Sequence, residues 1–337
     1  MPETVLLTGV SGFIAKHVAL KLLNAGYDVR GTVRRLDRAD EVRSAVAPHL
    51  TAGAGTLSFV QADLESDAGW DDAVRGVSAV VHTASPFPIA QPKDENVLIR
   101  PAVEGTERVL NAAAAAGVTR IVLTSSTVAV FDEGRHQDLQ DEANWCDLDL
   151  PSTSAYAKSK TLAERKAWEI AKAKGLQLTT INPGVVLGPP LDEHYGSSME
   201  LVERIMKGKD PAMPDLGFAA VDVRDVAEMH LRALQKPETA GKRYLATAGS
   251  LTMPEMGRIL KDAYPTRRIP TMIAPLILLR VMALFDAQLR AIVPNIGKHP
   301  KVSNARAVKD MGMMFTAPKA ALLASADWLE KHGKVWK

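Results

Sequence analysis

Six short apolar runs rich in β-branched residues punctuate the chain between Val5 and Asn182, and longer stretches of helical periodicity lie between them. The runs are Val5-Leu7, Asp28-Val33, Leu57-Gln61, Ala79-His82, Ile121-Leu123 and Leu178-Ile181. That alternation is the signature of βαβ units, which place parallel strands in one sheet with helices on both faces. The predicted fold is therefore α/β on a doubly wound parallel sheet. The first intervening helix spans Phe13 to Ala25, with Ile14, Val18, Leu22 and Ala25 on one face and Gly26 as its stop.

The regularity fails after Asn182-Pro183-Gly184, where Gly188-Pro189-Pro190 breaks the pattern and a polar segment runs to Ser198 before a helix begins near Met199. The chain is expected to return to the sheet in Phe218 to Leu234. It then leaves again near Ser250, where Thr252 caps a helix opening Met253-Pro254-Glu255. Two domains follow from this reading: a sheet domain of 1–187 with 218–249, and a smaller, mainly helical lobe of 188–217 with 250–337. The crevice between them, at the carboxyl ends of the strands, is where open α/β sheets bind ligands. The apolar stretch from Met272 to Phe285 is interrupted by Pro275 and Arg280 and falls short of the ~20 residues of a spanning helix. It reads as a buried or substrate-facing helix.

With 41 Lys and Arg against 39 Asp and Glu, the formal charge is only +2, so no global field selects nucleic acid or an anionic membrane. Any anion site has to be local. One cysteine, Cys146, excludes an internal disulfide framework and fits a reducing compartment. The start Met1-Pro2-Glu3 leads straight into Val5-Leu6-Leu7 without a basic region or cleavage site, so a cytoplasmic location is expected. The eight histidines show no metal-ligand spacing, and no metal is required.

Thr8-Gly9-Val10-Ser11-Gly12-Phe13-Ile14-Ala15 joins the first strand to the first helix, the context in which a glycine-rich loop binds pyrophosphate. Gly9 permits the tight turn, Gly12 lets the backbone approach the phosphates, and the helix N-terminus offers unpaired N–H groups. Ala15 stands where a third glycine is usual, a departure of one methyl group. An NAD site carries an acid at the end of the second strand, but this strand ends Thr32-Val33-Arg34-Arg35. A guanidinium there suits a 2′-phosphate, so NADP(H) is the expected cofactor, with Arg34 as the principal contact and Arg35 left open. Asp63 follows the third strand and is placed to meet the adenine edge.

Tyr156 and Lys160 stand one turn apart at the start of a helix. A phenol titrates near ~10 and is a poor acid or base at neutral pH unless a neighbouring ammonium stabilises the phenolate. The strand Ile121-Val122-Leu123 ends in Thr124-Ser125-Ser126, setting hydroxyls at the same edge of the sheet. Ser126 and Tyr156 together would grip an oxygen that becomes negative as hydride arrives. Pro183-Gly184-Val185-Val186 brings backbone groups toward a nicotinamide carboxamide.

These segments, with Val81-His82-Thr83-Ala84-Ser85-Pro86 and Val221-Asp222-Val223-Arg224-Asp225-Val226-Ala227, make the chain resemble the extended short-chain dehydrogenases/reductases with a Rossmann fold. Within that group it resembles the dihydroflavonol 4-reductase, cinnamoyl-CoA reductase and aldehyde (methylglyoxal) reductase branch. The resemblance implies Ser126, Tyr156 and Lys160 as catalytic residues. For the cofactor it implies contacts from Gly9, Ser11, Gly12, Phe13, Ile14, Arg34, Asp63, Leu64, Thr83, Ala84, Ser85, Thr124, Pro183, Gly184, Val185, Val186 and Ser198, besides Tyr156 and Lys160. Two plant signatures are missing: Phe131 stands where dihydroflavonol reductases have a substrate-reading polar residue, and Thr153-Ser154-Ala155-Tyr156-Ala157 lacks the cinnamoyl-CoA reductase pattern.

The expected activity is NADP(H)-dependent reduction of an aldehyde or ketone, or oxidation of the alcohol, on a small molecule with an apolar or aromatic body. Phe87, Phe131, Met199 and Met213 are candidate pocket residues, and the expected assembly is a monomer or homodimer without nucleic acid or membrane partners. A sugar-nucleotide epimerase or dehydratase and a non-enzymatic NADP sensor are the competing readings. The first is disfavoured by Arg34 and the apolar Thr127-Val128, the second by the presence of both Tyr156 and Lys160.

Overall fold

The computed structural model describes residues 3–85, 94–131, 138–285 and 287–335. Strands in chain order are β1 (Thr4–Thr8), β2 (Asp28–Val33), β3 (Leu57–Gln61), β4 (Ala79–His82), β5 (Arg120–Thr124) and β6 (Leu139–Gln140). They continue as β7 (Gln177–Pro183), β8 (Val185–Leu187), β9 (Gly217–Asp222), β10 (Lys242–Ala246), β11 (Gly249–Thr252) and β12 (Lys301–Val302). The helices are α1 (Phe13–Asn24), α2 (Ala39–Val46), α3 (Trp70–Val74), α4 (Asn96–Ala115), α5 (Ala155–Lys174) and α6 (Ser197–Met206). After them come α7 (Val223–Gln235), α8 (Met253–Ala263), α9 (Leu276–Met282), α10 (Ala287–Ile292), α11 (Ala305–Met311) and α12 (Pro318–Lys331).

The main sheet has the order β10-β7-β5-β4-β1-β2-β3, and every pairing in it is parallel. Alternate residues along each strand face opposite sides, which divides the apolar core in two. Val5 and Leu7 pack with α1 and α7, whereas Leu6 of the same strand packs with α3, α4 and α5. The strand order reverses between β1 and β4, and a crevice opens there at the carboxyl ends.

Local chemistry explains the helix ends. Ser154 caps α5 by accepting the Ala157 amide at 3.1 Å, and Gly175 closes it at φ +67° with Lys172 and Lys174 in the last turn. Thr252 and Glu255 form a reciprocal capping box at the start of α8.

A third apolar cluster joins Leu187, Ala220 and Leu251 of the small sheet β11-β9-β8 to residues of α6, α8 and α12. The return expected over Phe218 to Leu234 is split: β9 pairs in this small sheet, while α7 packs against α1 on the main one. The seventh strand of the main sheet is β10, whose Lys242-Arg243-Tyr244 opening lacks an apolar run and gave no strand signal. Met272 to Phe285 differs from expectation more plainly. Only seven residues form α9, and Ile277 is 78% and Phe285 88% exposed, while Leu279 and Ala283 turn inward. A helix of two turns after Pro275 seats one edge and leaves the rest outside. No helix among the described residues is long and apolar enough to cross a membrane.

Candidate active site

The glycine loop leaves β1 at the point of strand-order reversal. Gly9 has φ +64°, and a Cβ on it would lie 2.9 Å from that of Ala84, so both the turn and the approach of the β4 loop require glycine. Beneath it, a Cβ on Gly31 would meet Val10 Cγ1 at 2.5 Å. The Gly9 amide donates to Thr32 Oγ1 at 2.9 Å, and the Val10 amide to the Thr32 carbonyl at 3.1 Å. Gly12 is the N-cap of α1 and contributes no side-chain bond to its first turn. The amides of that turn are therefore available to an anion, with the positive end of the helix behind them. Ser11, Phe13 and Ile14 are half-buried around the turn, and Ala15 packs into the core.

Thr8 binds the two loops together. Its hydroxyl oxygen accepts the Thr83 and Ala84 amides, both at 3.1 Å, and lies 2.7 Å from His82 Nδ1. With two donors already on that oxygen, its proton goes to the imidazole. His82 is neutral: burial, assisted by the nearby Lys160 charge, pushes its pKa down to about 3. Its part in the site is to hold Thr8.

At the end of β2 the cations separate. The exposed Arg35 pairs with Asp37, and Arg38 Nε donates to Glu41 at 2.6 Å. Arg34 is exposed and makes no ion pair among the described residues, which leaves its guanidinium open to a phosphate. Across β3, one Asp63 oxygen accepts the Glu65 amide at 3.1 Å, and Leu64 packs against α4 where Gly105 has no side chain.

Tyr156 is half-buried in the first turn of α5, and Lys160 is 8% exposed one turn on. No hydrogen bond to the Lys160 ammonium is found among the described residues. Burial lowers its pKa to about 8, against the opposing pull of Glu164. Ser126, two residues past β5, is 8% exposed; its hydroxyl makes only long contacts, 3.4 Å to the Pro183 carbonyl and 3.4 Å from the Val128 amide. Such weak bonds exchange readily for a substrate oxygen. Thr124 is held differently, its hydroxyl 2.7 Å from Nε2 of the buried His230.

Past β7, a Cβ on Gly184 would lie 2.2 Å from the Ala219 carbonyl oxygen, so glycine is needed where the chain crosses from the main sheet into β8. Val185 and Val186 follow in β8, and Ser198 is half-buried in α6. Ser85 is half-buried at the end of a described stretch; Phe87 lies outside the described residues. Phe131 is half-buried after the 3-10 turn Thr127–Ala129. Met199 and Met213 are sealed in the third core at 0% and 1% exposure, where packing accounts for them and neither offers surface to a substrate.

Sequence reasoning missed two arrangements. Glu164, which is fully buried, collects donors from β5, β7 and β10; an acid two turns after Tyr156 on the same helical line was the available signal. Lys16, 1% exposed in α1, pairs with Asp192 and with Glu41 at 3.1 Å. Glu41, Asp192 and His194 form the one metal-like ligand group among the described residues, and the Lys16 ammonium already neutralises its carboxylates.

The model of the NAD dependent epimerase/dehydratase family matches residues 5–246. The cinnamoyl-CoA reductase 1 of Arabidopsis thaliana is 35% identical over 335 residues, covering 98% of this chain and 90% of the relative. The dihydroflavonol 4-reductase of Zea mays is 34% identical over 274 residues, covering 79% and 76%. Among solved structures, the yeast methylglyoxal/isovaleraldehyde reductase complexed with NADPH superposes with a TM-score of 0.81 at 28% identity, covering 98% of this chain and 99% of that one.

Proposed function

The chain belongs to the NAD dependent epimerase/dehydratase family, and we propose that within it the protein reduces the carbonyl of a small aldehyde or ketone with an apolar or aromatic body, Tyr156 giving the proton. The protein is an NADP-dependent oxidoreductase. The observation that carries the finer reading is the buried Lys160 ammonium, unpaired among the described residues, one turn after Tyr156.

The residues fit the cofactor. Gly9 makes the tight turn against the β4 loop, and Gly12, the side-chain-free N-cap of α1, leaves its first turn open for a pyrophosphate, with Ser11, Phe13 and Ile14 around it. Arg34 takes the 2′-phosphate, Asp63 and Leu64 border the adenine, and Thr83 to Ser85 with Thr124 line the switch point. Pro183 to Val186 offer backbone groups to the carboxamide, and Ser198 borders the second lobe. When bound, NADPH supplies the hydride for the carbonyl carbon.

The chain's own residues manage the oxygen. Ser126 exchanges its long bond to Pro183 for a bond donated to the substrate oxygen, and Tyr156 Oη donates a second bond and then its proton. Lys160 stabilises the resulting phenolate until solvent returns the proton, and it orients the nicotinamide ribose. Residues 188–217 and 250–337 serve as the substrate lobe, with Phe131 facing the apolar body.

A panel of aldehydes and ketones with NADPH, followed at 340 nm, tests this reading together with Tyr156→Phe. Net NADPH consumption that falls by at least ~10²-fold in the variant is expected. A variant that keeps most of the turnover rejects Tyr156 as the donor. Binding without turnover on any carbonyl rejects the reductase reading.

A further inference from the structure

A carboxylate buried without solvent is costly, and a buried ion pair is weak evidence of stabilisation, so its place in a fold needs another reason. Glu164 is such a group, with a side chain 0% exposed. It lies on the helical line of Tyr156 and Lys160, one turn after the lysine. Its Oε1 receives Arg243 Nε at 2.6 Å, Thr180 Oγ1 at 3.1 Å and Trp168 Nε1 at 3.3 Å. Its Oε2 receives Ser125 Oγ at 2.5 Å, Asn182 Nδ2 at 2.7 Å and Arg243 Nη2 at 3.3 Å. Every donor but Trp168 comes from the carboxyl-end segments of β5 and β7 or from β10.

Two of these donors adjoin the substrate-oxygen grip. Ser125 precedes Ser126 in the chain, and Asn182 Nδ2 also donates to the Ser126 carbonyl at 3.1 Å. Arg243 is itself spent: it donates to the carbonyls of Glu142 at 3.1 Å, Asn144 at 2.6 Å and Ala129 at 3.4 Å, and its guanidinium lies 3.8 Å over the Trp145 ring. Ala129 belongs to the 3-10 turn that Ser126 caps. The pair thus ties the helix bearing Tyr156 and Lys160 to the turn bearing Ser126.

We infer that Glu164, clamped by Arg243, is a positioning residue for carbonyl reduction, setting the Tyr156–Lys160 face of α5 against the strand ends that carry Ser126 and Asn182. The inference rests on the proposed reductase reading. A misplacement of about 1 Å far from the chemistry costs on the order of 10²-fold in rate, so the pair acts on kcat. NADPH is held mainly by the glycine loop and Arg34, and its affinity is spared.

The test compares the wild type, Tyr156→Phe, Glu164→Asp and the double variant Glu164→Gln/Arg243→Met, which removes both buried charges at similar volume. For each, kcat, the KM for substrate, the Kd for NADPH and the Tm are measured. The double variant is expected to keep NADPH affinity and substrate KM within threefold while kcat falls at least 30-fold. Glu164→Asp keeps the charge but withdraws it by one methylene; it should lose about tenfold in kcat with NADPH Kd within threefold, and its Tm falls because buried donors it no longer reaches are left unsatisfied. A double variant that turns over within threefold of wild type, while Tyr156→Phe is inactive, overturns the positioning role alone. If the double variant does not fold, Glu164→Asp decides: kcat within twofold of wild type overturns the inference. An active Tyr156→Phe rejects Tyr156 as the proton donor and the inference with it, whereas a wild type that turns over no carbonyl overturns the reductase reading and the inference together.

Discussion

The Thr8 hydroxyl lies 2.7 Å from Nδ1 of His82, a buried contact that joins the ends of β1 and β4 where the strand order reverses. The same oxygen carries the Thr83 and Ala84 amides, so Thr8→Val strands two donors and an imidazole at once. Each unsatisfied buried group costs about 1–3 kcal/mol. The loops after β1 and β4 lose their registry, and if they flank the cofactor as proposed, NADPH Kd should rise about tenfold or more, measured by fluorescence titration. An unchanged Kd would show that the backbone alone sets these loops.

Arg34 and Arg35 separate in a second experiment. Arg34→Ala removes the charge-assisted contact proposed for the 2′-phosphate, worth ~1.5–3 kcal/mol, so the KM for NADPH should rise roughly 10- to 100-fold while that for NADH barely moves. Arg35 is already paired with Asp37, and Arg35→Ala should change neither by more than about twofold. Equal losses in the two variants would mean that both guanidinium groups hold the phosphate.

Lys160 sets function against stability. Its pKa falls to about 8 on burial from 10.5, so the unfolded chain binds more protons between those values and stability rises with pH across that window. Below pH 8 the folded protein carries the full cost, on the order of 3 kcal/mol. Lys160→Met should therefore raise the Tm at pH 7 by about 5 °C, with the gap closing toward pH 10.5, while turnover falls ~10²-fold or more. Calorimetry at pH 7 and 10 checks the sign, and a lower Tm for the variant at pH 7 would refute the account.

Three buried histidines govern the acid side. His82 titrates at about 3, and His17 and His230 at about 4, each lowered first by burial. All three lie below the unfolded value of 6.5, so the unfolded chain binds the extra protons and stability is lost as the pH falls below about 6.5 toward 4. With ~1.4 kcal/mol per proton and pH unit, the three together approach about 4 kcal/mol per unit at the steepest point. Urea midpoints at pH 7, 6 and 5 measure this slope; a flat profile would contradict neutral burial of the three rings.

Much of the local structure around the crevice is legible in the sequence. The glycine loop, the arginine-ended β2 and the Tyr156–Lys160 spacing are encoded within a few residues, because turn geometry and helical periodicity act at short range. Glu164 escaped notice although it stands on the same helix, since its meaning depends on Arg243, 79 residues away. Met199 and Met213 carried the opposite ambiguity: an apolar residue in a lobe reads equally as core or pocket until its neighbours are known.

By itself, then, the sequence determined the parallel sheet, its turns and the residue types at the carboxyl ends of its strands, all consequences of local backbone preference and of which face each side chain takes. Only the tertiary structure decided that β10 closes the main sheet, that β9 pairs with β8 and β11, that α9 lies open, and that Glu164 meets Ser125, Asn182 and Arg243. Those outcomes depend on register between segments far apart in the chain, where the competition is between burial surfaces and hydrogen-bond partners that no local pattern specifies.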